Sequence, residues 1–231
     1  DRLLPDTDSV DLFILPTVYA DIPEKLSDRV LSGPEYVIIS EVFTGCDRTR
    51  YSSEDKNIVL IALGGSDPLN STSKVMDACY QFKDMNEDIK VKVIIGPANS
   101  RAEYIKEKAV RYGMDFVLYP DQKTYRNCLL QAFFVIAGFG ISVYEIAYLK
   151  IPCLYVTHFR EDCDNAKKLE RLGLGMLLGY GPDISVADIN KSCMSAFSNR
   201  DFLRKGIQGI VDGKGVERIV DKLIDMRESY G

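Results

Sequence analysis

Short apolar runs rich in β-branched residues alternate along the chain with longer amphipathic stretches. This is the pattern of βα units around a parallel sheet buried on both faces. The runs at 58–63, 91–95, 116–119, 133–137, 153–156 and 176–178 predict six strands of one doubly wound sheet. Period-3.6 stretches predict helices at about 71–83, 100–112, 122–130, 142–149, 163–172, 186–197 and 215–229. The expected fold class is therefore α/β.

The pattern is uneven at the ends. Residues 1–44 contain one apolar strand around Leu12 to Leu15 followed by a loop from Pro16 to Asp28, and read as the remnant of an amino-terminal α/β domain. Residues 45–56 are polar and without hydrophobic period, which predicts a linker; 57–214 then form the α/β unit and 215–231 a terminal helix. A chain of 231 residues with 46% hydrophobic and 27% charged residues is long enough and apolar enough to bury a sizeable core. The formal net charge of −5 gives no bulk attraction to nucleic acid or anionic membrane, so any phosphate must be held by local groups. No apolar run approaches the roughly 18–20 residues of a spanning helix. The six cysteines show no C-x-x-C pair, so we expect reduced thiols, no metal site and a cytoplasmic protein. The single histidine, His158, restricts any His-dependent catalysis to that residue.

In an open α/β sheet, ligands bind beyond the carboxyl ends of the strands, so each strand end can be read for chemistry. After the first strand of the unit, Gly64-Gly65-Ser66-Asp67-Pro68 offers a close backbone approach and helix-entry amides for an anion. The same residues also fit a plain strand-to-helix turn, with Ser66 or Asp67 as cap and Pro68 at the first helical position. After the fourth strand, Gly138-Phe139-Gly140-Ile141-Ser142 leads into a helix with Glu145 one turn on. Ser142 and Glu145 have capping-box spacing, yet a carboxylate there is also placed to accept ribose hydroxyls. The fifth strand delivers His158, readable as a general base, a phosphate contact or a loop histidine, and Asn165 follows near a helix start as cap or ligand contact. Asp212-Gly213-Lys214-Gly215 opens the last helix.

Taken together, Gly64 to Pro68, Gly138-x-Gly140-x-Ser142-x-x-Glu145 with Ile151-Pro152, Asp164-Asn165 and Asp212-Gly213-x-Gly215-x-x-Arg218 resemble the carboxyl-terminal half of two-domain nucleotide-sugar enzymes of GT-B fold. The nearest resemblance is to the UDP-sugar hydrolase of pseudaminic acid biosynthesis and to spore-coat polysaccharide proteins, over about residues 33–220. The resemblance implies a Rossmann-like domain and a UDP-sugar as ligand, with no cofactor. It implies phosphate contacts from Gly64, Gly65, Ser66 and the Gly140-Ile141-Ser142 turn, ribose hydroxyls on Glu145, and uracil against Leu118 to Pro120, including Tyr119. Family members carry a glycine- and histidine-bearing catalytic loop in a full amino-terminal domain; this chain has no histidine before residue 158, and Ala166 follows Asn165 where the family commonly has Gln. The resemblance thus implies hydrolysis or transfer at the sugar's anomeric carbon in a complete protein. The alternative is a non-catalytic nucleotide-sugar-binding subunit whose partner docks on an apolar patch near Leu12 to Leu15 and on the last helix.

Overall fold

The computed structural model describes residues 9–17, 22–46, 57–199 and 209–229. Most of the expected linker, residues 47–56, lies outside that set. Near the amino end, β1 (Phe13–Leu15) and β2 (Val30–Ser32) pair in parallel, and a single helical turn, α1 (Glu41–Thr44), follows. The sequence pattern foresaw only one strand here, because β2 carries just two adjacent apolar residues, Val30 and Leu31, against the four-residue apolar run from Leu12 to Leu15 around β1.

The main sheet is built from β3 (Ile58–Ala62), β4 (Lys90–Ile95), β5 (Asp115–Leu118), β6 (Ala132–Gly138), β7 (Cys153–Thr157) and β8 (Met176–Tyr180). All pairs are parallel, in the spatial order β5-β4-β3-β6-β7-β8. Each strand feeds a helix: α2 (Ser71–Asp84), α3 (Ala102–Arg111), α4 (Gln122–Gln131), α5 (Ile141–Tyr148), α6 (Asp162–Arg171) and α7 (Val186–Ser198). The terminal helix is α8 (Gly215–Ser229). Numbered from β3, the strands run 3-2-1-4-5-6, so the order reverses between β3 and β6 and opens a crevice at their carboxyl ends.

Strand residues alternate between two cores, which is why the strands read as continuous apolar runs. Leu60, Val135, Ala137 and Tyr155 face α4, α5 and α6, together with Phe43 of α1. Val59, Ile61, Ile136 and Leu154 face α2, α3 and α7 through Val75, Ile105 and Ile189. These side chains are fully buried, and the Val, Leu, Ile and Phe among them are each worth about 1.5–3 kcal/mol relative to exposure. The α8 helix is fastened at its first turn. Arg218 donates to both carboxylate oxygens of Asp212, at 2.8 and 2.6 Å, and to the Glu35 carbonyl at 2.9 Å. Beyond that turn, Ile219 is buried, but Val216, Val220, Leu223 and Ile224 are exposed along one stripe, and Ile14 of β1 is exposed as well.

Candidate functional site

The crevice holds a cleft of about 190 Å³ lined by Gly64 and Gly65 after β3, Gly96 and Pro97 after β4, Pro120, Gln122 and Tyr125 around the start of α4, and Ser142 of α5. Four strand ends therefore converge on one cavity. Gly64 takes φ +94°, and a side chain at either Gly64 or Gly65 would meet only open space, so the backbone of this turn faces the cleft bare. The turn is supported from below. A Cβ on Gly96 would fall 2.5 Å from the Gly65 Cα and 2.6 Å from the Gly64 carbonyl, and the Ala98 amide donates to the Gly65 carbonyl at 2.9 Å.

The α2 helix does not extend this cradle. Its first two amides, of Ser71 and Thr72, donate to the two carboxylate oxygens of buried Asp67, both at 2.9 Å. The helix starts at Ser71, so Pro68 is not its first residue, and Asp67 caps it from three residues further back than the plain turn reading requires. An anion at Gly64 to Ser66 thus meets turn amides only, because the helix-entry amides are already satisfied.

The α5 helix behaves in the opposite way. It begins at Ile141 with Gly140 in extended conformation, and no side chain caps its amino end. Ser142 and Glu145 lie inside the helix and do not form the capping box that their spacing allowed. The Val143 amide donates to the Gly140 carbonyl at 3.1 Å, which leaves the Ile141 and Ser142 amides, at the positive end of the dipole, uncapped by any side chain at the switch point between β3 and β6. Glu145 is half-buried and has no hydrogen-bond or ion-pair partner among the described residues. Burial alone pushes its carboxyl above the usual range. Tyr125 packs its phenol against Ser142 and near Glu145, and burial drives that phenol's pKa upward.

Gly138 closes β6 beneath the cleft, and a Cβ there would lie 2.7 Å from His158 Nε2 and 2.8 Å from the Leu63 carbonyl oxygen. His158 is accordingly neither an exposed loop residue nor a group in the cleft: it is half-buried, with Nε2 3.0 Å from the Leu63 carbonyl. Tyr119 follows β5 with φ +49°, donates its amide to the Ile95 carbonyl at 2.9 Å and exposes its ring beside Pro120. Asn165 lies in the first turn of α6, where it caps nothing, and does not line the cleft. Of the residues singled out from the sequence, Gly64, Gly65 and Ser142 line the cleft; Gly140, Ile141 and Glu145 share the amino-terminal part of α5 with Ser142, and Ser66, Tyr119 and Asn165 are not among the lining residues. Gly96, Pro97, Gln122 and Tyr125 were missed from sequence. Gly96-Pro97 follows β4, so the same strand-end rule reaches it, whereas Tyr125, on α4, had no local signal.

The strand order, the switch-point cleft and the open α5 terminus define a Rossmann-like α/β domain of GT-B type. The chain is similar to the spore coat polysaccharide biosynthesis protein SpsG of Bacillus subtilis (strain 168), with 28% identity over 222 residues, covering 93% of this chain and 65% of that protein. It superposes on the S. aureus MnaA-UDP co-structure with a TM-score of 0.65 at 14% identity, covering 87% of this chain and 55% of the other. Acinetobacter baumannii MurG gives a TM-score of 0.64 at 14% identity, covering 91% and 65%. No protein-family model matches the chain. The chain spans less than two thirds of the length of each of these three relatives. Among the described residues, no group of three or more His, Cys, Asp or Glu could hold a metal, and no helix is long and apolar enough to cross a membrane.

Proposed function

We propose that the cleft holds the UDP part of a nucleotide sugar, in a protein of surface-polysaccharide or nonulosonic acid biosynthesis that hydrolyses or transfers the sugar at its anomeric carbon. The observation that carries this reading is the uncapped α5 terminus with an unpartnered, half-buried Glu145 one turn along it. A pyrophosphate at Gly140 to Ser142 would be met by the first-turn amides and the positive end of the dipole, with the bare Gly64 to Ser66 turn on its other side. As the sugar–oxygen bond breaks, negative charge develops on the departing diphosphate, and fixed amides there stabilise it without reorganisation. Glu145, ionised, accepts from both ribose hydroxyls, and uracil lies against Leu118 to Pro120. The nucleophile-positioning groups belong to a second domain. The likeness to SpsG, by its name a spore coat polysaccharide biosynthesis protein, supports the surface-polysaccharide setting, and the UDP co-structure of MnaA supports the ligand class.

Calorimetric titration with UDP, with ADP and GDP as controls, tests the reading. The expected result is UDP-selective binding that Glu145→Ala weakens about tenfold or more, the effect of losing charge-assisted hydrogen bonds. Equal affinity for the three nucleotides, or an unchanged affinity in Glu145→Ala, would sink it.

The exposed stripe of α8 favours a second reading, a nucleotide-sugar-binding subunit completed by a partner chain. It predicts turnover only on mixing two chains, whereas the first reading predicts turnover from a single longer chain.

A further inference from the structure

Resting on the nucleotide reading of the cleft, we propose that His158 is a positioning residue that anchors the Gly64-Gly65-Ser66 turn, and is neither acid nor base. The ring leaves the end of β7 and reaches past β6 to β3, where Nε2 lies 3.0 Å from the Leu63 carbonyl oxygen. The reach is possible because the intervening strand ends in Gly138, where any side chain would strike both partners of the bond. One imidazole thus links the carboxyl end of β7 to that of β3 across Gly138 at the end of β6, at the switch point.

The partner fixes the tautomer. A carbonyl oxygen only accepts, so Nε2 carries the proton, and Nδ1 is left as a bare acceptor. That atom is buried and without a hydrogen-bond partner. Neither nitrogen can therefore take a proton from a group in the cleft: one is committed to Leu63 and the other is sealed from it. What the ring does is hold the Leu63 carbonyl still. The next residue, Gly64, turns the chain at φ +94°, and the Gly65 carbonyl accepts from Ala98 at 2.9 Å. The turn is held at its near end by His158, at its middle by Ala98 and at its far end by the Asp67 cap. Preset turn amides bind an anion without first having to be ordered, which is where the affinity gain arises.

Three measurements decide the proposal. With one histidine in the chain, a long-range proton–nitrogen spectrum of the imidazole gives a single pattern; it should be the Nε2–H tautomer, and the Nδ1–H tautomer overturns the assignment. Amide exchange at Ala98 in the ligand-free chain should accelerate about tenfold in His158→Ala and stay near the unmodified rate in His158→Gln, whose amide restores an N–H donor without a titrating group. UDP affinity should fall about tenfold in His158→Ala and return to within about threefold in His158→Gln. Unchanged Ala98 exchange or unchanged UDP affinity in His158→Ala overturns the proposal. So does a His158→Gln variant as impaired as the alanine, since that points to lost packing alone. If the unmodified chain binds no UDP, the nucleotide reading falls, while the tautomer and the exchange rates still decide the anchoring.

Discussion

At the scale of single residues, Glu145 is the clearest compromise in the molecule. Burial raises its carboxyl above the ordinary value, so the folded state disfavours the ionised form. For an acid whose folded pKa is raised, the favourable contribution is complete below the unfolded pKa and is lost as pH rises through the folded value. Glu145→Gln should therefore raise the thermal midpoint at pH 7, leave it unchanged at pH 4 and weaken UDP binding. Melting curves at the two pH values with a parallel titration check all three signs. A destabilised variant at pH 7 would mean that the carboxylate has a structural partner. The cysteines give a second residue-scale expectation. Cys79, Cys128, Cys153 and Cys193 are buried, and burial is the main cause of the upward shift of the Cys153 thiol. In the native chain, thiol titration should label Cys46 and Cys163 rapidly and the other four only on unfolding. Sequence exposed Glu145 through its spacing from Ser142, but not its state. A helix starting two residues earlier than a Ser142 cap requires converts an apparent cap into an open carboxylate, and that start is set by the extended Gly140 at the N-cap position.

At the scale of elements, the glycine turn and the α2 cap divide the labour, one facing a ligand and the other satisfying a helix. Asp67→Ala unpairs two helix-entry amides and should cost about 1–2 kcal/mol in denaturant unfolding. Gly96→Ala acts from behind the turn, by pushing Gly64 and Gly65 into the cleft. It should cost about 1–3 kcal/mol through overpacking and weaken UDP binding more than Asp67→Ala does. The reverse ranking of affinities would shift the phosphate contact from the turn to the α2 entrance. The elements themselves were legible in the sequence: α2 at Ser71–Asp84, α7 at Val186–Ser198 and the six main strands fall within one or two residues of the periodic runs. Their spatial order was not, because hydrophobic period reports which face is buried and says nothing about which strand lies alongside. The contact of Gly96 with Gly65, and of His158 with Leu63, arises only after β4, β3, β6 and β7 have been set side by side.

At the scale of the whole molecule, two distant segments meet at the root of α8. Arg218 joins Asp212 to the Glu35 carbonyl, and Gly215 packs against Val37, so the stretch after β2 and the stretch before α8 are held as one joint. The guanidinium beside Asp212 holds its carboxyl down to about 2, below its ordinary 3.8. A depressed acid contributes stability above its unfolded pKa and loses it as pH falls toward the folded value, so the joint should weaken between about pH 4 and 2. Because both side chains are about one-third exposed, Arg218→Ala should cost only about 1 kcal/mol at pH 7, and less at pH 2. Beyond the joint, Val216, Val220, Leu223 and Ile224 are spaced four, three and one residues apart, which places them on one helix face, with buried Ile219 along its edge. Beside the joint lies the parallel pair β1–β2, and parallel strands are stable when further strands and helices cover both faces. On the two-domain reading proposed above, a second domain would cover both surfaces, and the stripe would contribute nothing to the cleft. Placing lysines at Val220 and Leu223 should therefore leave the unfolding free energy within about 0.5 kcal/mol, the tolerance of an unpacked surface position. It should also leave UDP affinity unaltered and reduce binding of an apolar dye. Loss of folding in that double variant would show that the stripe is packed within this chain.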